Sequence, residues 1–170
     1  MTEFKEITND KIDEKIDNAI KHIIHSLEDK LWEDDFNLDT MHGKKVFDEE
    51  AKAVKGLNMI LKKQGKSSAD GVVTLVISSA IDTLVDIDRI LAQNAINSVP
   101  TDTGDKKIDK ELEKSNKEME KADKELIKGY PDHAIKKFKK AWEHAQHALE
   151  KTEYVEDEDI EDEDVEDDID

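Results

Sequence analysis

GVVTLVISSAIDTLVDIDRILAQNAINS, residues 71 to 98, is the most apolar stretch of the chain. Its β-branched opening has the composition of a strand, but it is far longer than a strand of ordinary length, so it reads as one long helix. Apolar residues cover more than one stripe of that helix, so it should be a central helix packed against two or more neighbours. Ser78, Asp82, Asp86, Arg89 and Gln93 gather on one side. They give the helix a single polar edge, on which Asp82 and Asp86 stand one turn apart and Arg89 can compensate Asp86.

The flanking segments repeat the helical period. After Thr8, Asn9 or Asp10 as N-caps, Ile12, Ile16, Ala19, Ile20, Ile23, Leu27 and Leu31 recur at steps of three and four, which predicts a helix to about Leu31. An irregular acidic stretch, Trp32 to Gly43, precedes a second helix through Val46, Phe47, Ala51, Val54, Leu57, Ile60 and Leu61, stopped by Gln64 and Gly65. Beyond Pro100 and the turn at 101–105, Ile108, Leu112, Ser115, Met119, Ala122 and Leu126 form a narrow heptad-like seam suited to one partner helix. Gly129 ends that helix. Pro131 opens a last one, with Ala134, Ile135, Phe138, Ala141, Trp142, Ala145, Ala148 and Leu149 on one face. The expected fold is all-α: a three-helix bundle over 8–98, a helical hairpin over 102–152 and a disordered acidic tail over 153–170. A single five-helix body, with the hairpin docked on the central helix, is an open alternative.

The chain has 170 residues and a net charge of −18. Thirteen of its 44 acids lie in residues 153–170, where no base occurs; the remainder holds 31 acids against 26 bases and is close to balanced. Of the bases only Arg89 is arginine. Bidentate phosphate recognition is hardly available and the acidic balance repels nucleic acid, so no direct nucleic-acid binding is expected. Without cysteine there are no disulfides, thiolate-held metals or thiol nucleophiles. No run of eighteen apolar residues is present, so no transmembrane segment is expected, and residues 1–20 lack the apolar core of a signal peptide.

IKGYPDHAIKKFKKAWEHAQHAL, 127 to 149, resembles the closing helical pair of uncharacterised all-helical modules of archaeal secreted and cell-surface proteins, through Gly129, Tyr130, Ala134, Ile135, Phe138, Ala141, Trp142, Glu143, His144 and Ala145. SLEDKLWEDDFNLDTMHGKKVFDEEAKAVKGL, 26 to 57, is similar to their front half through Trp32, Leu38, Gly43, Val46, Phe47, Glu50, Ala53 and Val54. The resemblance implies a helical fold over residues 10–150 and an extracellular or cell-surface setting, whereas a chain with no export signal reads as cytoplasmic. It carries no activity. Gly129, Ala134, Phe138 and Ala141 also resemble the second half of a tetratricopeptide repeat, of which there is no second copy.

Several clusters offer chemistry. Asp35, Asn37 and Asp39 occupy positions 1, 3 and 5 of a calcium-loop pattern, but Thr40 and Val46 stand where Gly and a bidentate Glu belong, so an acidic turn that caps the next helix is the simpler reading. His22 with His25, and His144 with His147, are spaced i, i+3 outside the apolar stripes. If the first and last helices were neighbours, the four imidazoles would make a tetrahedral zinc site; otherwise they are solvated edge histidines. His133 shares the flank of His144, and His42 sits in a turn. Lys136, Lys137, Lys139 and Lys140 around Phe138 are basic enough to attract the tail.

In that tail Glu156, Asp157, Glu158, Asp159, Glu161, Asp162, Glu163, Asp164, Glu166, Asp167, Asp168 and Asp170 form a polyanion for a basic protein partner or for loose calcium binding. There is no nucleophile elbow, His-Glu-x-x-His run or phosphate-cradling Gly loop. The expected function is therefore a non-catalytic helical interaction or scaffold module, set in a cell envelope if the resemblance holds, with no required cofactor. Its competitor is a divalent-metal-binding protein or small helical metalloenzyme built on the histidine pairs or the acidic groups.

Overall fold

The computed structural model describes residues 9–64, 71–101 and 104–158. Five helices follow in order: α1 (Asn9–Ser26), α2 (Lys44–Gln64), α3 (Gly71–Ser98), α4 (Lys106–Ile127) and α5 (Pro131–Glu158). This is the expected all-α count. The acidic tail from 159 onward lies outside the described residues, as do 65–70 in the turn before α3. α5 runs six residues beyond the expected end at 152, taking the backbone of Glu156, Asp157 and Glu158 into its last turn.

α1 ends at Ser26, five residues before the expected Leu31, for a reason visible in the hydrogen bonds. The Trp32 indole N–H donates to the Ser26 carbonyl at 2.8 Å, occupying an acceptor that a continuing helix would have given to its own backbone. The chain instead makes a 3-10 turn at Asp29–Leu31 and an isolated bridge between Trp32 and Leu38, which buries Leu31 and Leu38. Gly43 closes this segment, donating its N–H to the Asp39 carbonyl at 2.8 Å. A Cβ on Gly43 would lie 2.5 Å from Leu38 Cβ and 2.6 Å from Asp39 O, neither of them the free end of a side chain. Gly43→Ala is therefore expected to destabilise the protein by about 1–3 kcal/mol, read as a lower thermal midpoint.

At the α4–α5 corner Gly129 adopts φ +78°, its N–H donates to the Leu126 carbonyl and that of Tyr130 to the Glu125 carbonyl, which reverses the chain and lets Pro131 start α5. The corner is tied to α2 by Lys62, whose ammonium lies 5.1 Å from the Tyr130 ring centroid.

α5, and not α3, occupies the centre. It packs against α2, α3 and α4 together, and Ala134, Ile135, Phe138, Ala141, Ala145 and Ala148 are wholly buried. Alanines every three or four residues let neighbouring backbones approach, so a moderately apolar helix can have three neighbours. Ser115 fits that close approach, its buried hydroxyl donating to the Ala141 carbonyl at 2.6 Å. α3, the most apolar helix, packs on α2 and α5 through a buried stripe from Ile77 to Ile96, while Val72, Leu75 and Val76 near its start remain exposed. The hairpin is thus docked on the first three helices, the five-helix alternative, with Trp142 between Phe47 of α2 and the α3 side chains Leu91 and Ala95.

Candidate metal centres

α1 and α2 run antiparallel, as do α4 and α5, and each pair carries the same juxtaposition. In the first, His22 and His25 of α1 face Glu49 of α2; in the second, His144 and His147 of α5 face Glu111 of α4. Within each trio one donor atom per residue lies within 4.8 Å of the others. The four histidines therefore do not converge on one zinc site: each pair is completed by a glutamate from its own hairpin partner. Neither Glu49 nor Glu111 stood out in the sequence, because in a chain with 41% charged residues a glutamate one helix away carries no signal.

In the first trio His22 Nδ1 is 2.6 Å and His25 Nδ1 3.8 Å from Glu49 Oε2, while Lys52 donates to Oε1 at 2.6 Å. In the second, His144 Nδ1 is 2.8 Å from Glu111 Oε2, and Lys114 and Lys151 lie 2.8 and 3.4 Å from Oε1. The His144 and His147 rings meet edge to face with centroids 6.4 Å apart. The division of labour is the same in both: one carboxylate oxygen faces imidazole and the other is held by lysine on the opposite side.

Charge follows geometry. Burial raises the Glu49 carboxyl, but hydrogen bonds from Lys52 and His22 outweigh it and hold the group below the usual glutamate range. For Glu111 burial is likewise opposed by Lys114, His144 and Lys151, and the carboxyl is pulled down to about 2. Both are anionic at neutral pH, as metal ligands must be.

The remaining candidates are placed elsewhere. Asp39 Oδ1 accepts the backbone N–H groups of Met41 and His42 and faces the His42 ring at 2.8 Å, so it shapes the turn before α2. Asn37 is bonded to Asp34, and Asp35 is exposed. Asp82 and Asp86 are exposed as well, and Arg89 reaches past them to Asp123 of α4 at 2.6 Å while lying over the Phe138 ring. Lys139 is held by both oxygens of Asp48, and Lys137 lies 3.5 Å from Glu118. His133 sits 3.6 Å from Glu125 and stacks on Tyr130.

The buried acid of α3 is Asp88, which the polar-edge pattern passes over. It is fully buried opposite Glu50, whose Oε1 accepts from Ser26 at 3.0 Å. Among the described residues neither oxygen of Asp88 has a hydrogen-bond partner. Burial, together with the neighbouring Glu50 carboxylate, pushes Asp88 well up; burial pushes Glu50 up to about 7 against the hydrogen bond from Ser26.

Fold and sites together define an all-α protein with two separate His-His-Glu donor sets. Among the described residues no helix is long and apolar enough to cross a membrane. Compared with known proteins, the chain matches no family model, no curated protein and no solved structure.

Proposed function

We propose that the protein binds divalent transition-metal ions, one in each helical hairpin, with zinc the best fit. The observation that supports this most is the recurrence of one donor set, two imidazoles i, i+3 on one helix and a carboxylate on its antiparallel neighbour, in both hairpins. Imidazole suits zinc, copper or nickel, whereas calcium takes six or more oxygen ligands, which neither trio supplies. Zinc at about 2.0–2.2 Å from nitrogen and oxygen in tetrahedral geometry needs its donors about 3.4 Å apart. His25 Nδ1 is near that separation from Glu49 Oε2, and His22 must withdraw by less than an ångström as the metal replaces the proton between them. Lysine on the second oxygen would then orient the carboxylate from outside the coordination shell.

The role proposed is binding and not catalysis. Three protein ligands leave a coordination position for water or a partner's side chain, but the charged groups beside each trio, Lys52 and the pair Lys114 and Lys151, are engaged with the ligand carboxylate and supply no free base.

Calorimetric titration of the metal-free full chain with zinc tests this. Two equivalents are expected to bind, falling to one in His22→Ala/His25→Ala and to none in the variant that also carries His144→Ala/His147→Ala, with affinity weakening on acidification as protons compete for imidazole. Zinc uptake unchanged in the fourfold variant, or absent from the parent, would refute the assignment.

A further inference from the structure

Six of the exposed large apolar side chains line or flank one groove between α1 and α3. Ile20 and Ile24 of α1, with Leu27 in the turn just past its end, recur at steps of four and three with 48, 60 and 62% exposure; on the first half of α3, Val72, Leu75 and Val76 are 70, 69 and 62% exposed. Between these stripes lies a groove of about 370 Å³, floored by Leu57 of α2 and walled by Ile16 and Ile23 of α1 and by Val73 and Ile77 of α3. Every residue lining it is apolar.

We infer that this face binds a second copy of the chain, with the α3 ridge of each copy seated in the α1–α3 groove of the other. A groove without donor, acceptor or charge offers nothing to a metal ion, a nucleic acid or a polar peptide. A small apolar molecule filling the groove would leave Leu75, Ile24 and Leu27 wet, because they stand on the outer shoulders of its walls; covering groove and shoulders together takes a protein surface. The chain itself carries the matching surface. Val72, Leu75 and Val76 form a compact aliphatic ridge at i, i+3, i+4 on the α3 wall of the groove, Val72 and Val76 lining it, so a two-fold axis pairs ridge with groove twice.

The area agrees. A fully exposed aliphatic side chain presents roughly 60–120 Å² of apolar surface, so these six expose roughly 200–450 Å² per copy. A standard interface takes about 800 Å² from each partner, a little over half of it apolar. Pairing would also give the first half of α3 the second neighbour that its composition calls for. Because each copy carries −18, association should tighten with added salt, opposite to an interface held by charge attraction.

Sedimentation equilibrium of the full chain with chelator present, which removes any metal bridge, is the test. The expected mass is twice 19.4 kDa at about 100 µM protein. Leu75→Asp/Val76→Asp, and separately Ile24→Asp on the opposite wall, should raise the dissociation constant at least tenfold. Ile127→Asp, also exposed but on α4, should leave it unchanged, and circular dichroism should show all variants folded. A monomer throughout this range, a dimer indifferent to these substitutions, or a monomer that releases a bound acyl lipid on denaturation would overturn the inference.

Discussion

Trp142→Ala is expected to lower stability by about 3–5 kcal/mol, a drop of roughly 10 °C in thermal midpoint for a chain of this size. The indole is buried to within 3% and meets Phe47 with ring centroids 6.1 Å apart and planes inclined at 48°. It also lines, with Leu91 and Ala95 of α3 and Leu38 of the irregular segment, a cavity of about 260 Å³. Truncation would enlarge that cavity at the point where α2, α3 and α5 meet, and surrounding helices held by close alanine contacts have little room to collapse into it. Thermal melts check this. A midpoint within 2 °C of the parent would show that Trp142 does not hold the hairpin to the first three helices.

The second large effect is one of pH. Glu50 and Asp88 both titrate above their ordinary values in the folded chain, Glu50 at about 7. Below about pH 3 both are protonated whether the chain is folded or not, and the pair adds no pH-dependent cost. As pH rises the unfolded chain releases these protons while the folded chain keeps them, so stability falls. For Glu50 alone the loss is about 3 kcal/mol by the time pH has passed 7, and Asp88 adds to it. Asp88→Asn removes one of the two buried carboxyls and supplies an amide donor opposite Glu50, so that Glu50 can ionise with Ser26 and Asn as partners. The variant is expected to match the parent near pH 3 and to exceed it by about 2–3 kcal/mol at pH 8.

The lowered carboxyls act in the opposite direction. Glu49, Glu111 and Glu118 are held down by lysine or histidine, and their stabilisation is lost as pH falls through their folded values. They are common to parent and variant, so the difference between the two melts isolates the pair. Equal midpoints at pH 8 would mean that Asp88 is not a buried proton holder.

Local pattern was a good guide wherever one helix determined its own state. The periodic runs located all five helices, and Gly129 followed by Pro131 marked the α4–α5 corner, because caps and breakers act over a single turn. The same reading overran α1, since its end depends on an indole six residues away in sequence that captures the Ser26 carbonyl. It placed α3 at the centre by counting apolar residues. The centre belongs to α5, whose alanines count little on a hydropathy scale yet permit three neighbours.

The candidate sites divide in the same way. Two histidine pairs three residues apart were legible, because i, i+3 spacing alone puts imidazoles on one helical face. Their carboxylate partners were not, since Glu49 and Glu111 lie 24 or more residues from the histidines and are chosen only by antiparallel docking. Asp88 escaped because it sits two residues beyond the exposed Asp86, about 200° around the helix, where the neighbouring elements and not its own periodicity put it in the core. By itself, then, the amino-acid sequence determined helix, face and turn, which are settled by interactions within about four residues. Only the tertiary structure decided which faces meet, and with them the two donor trios, the buried pair Glu50 and Asp88, and the apolar face of α1 and α3 left open, because contacts between distant residues depend on how all five helices fill space at once.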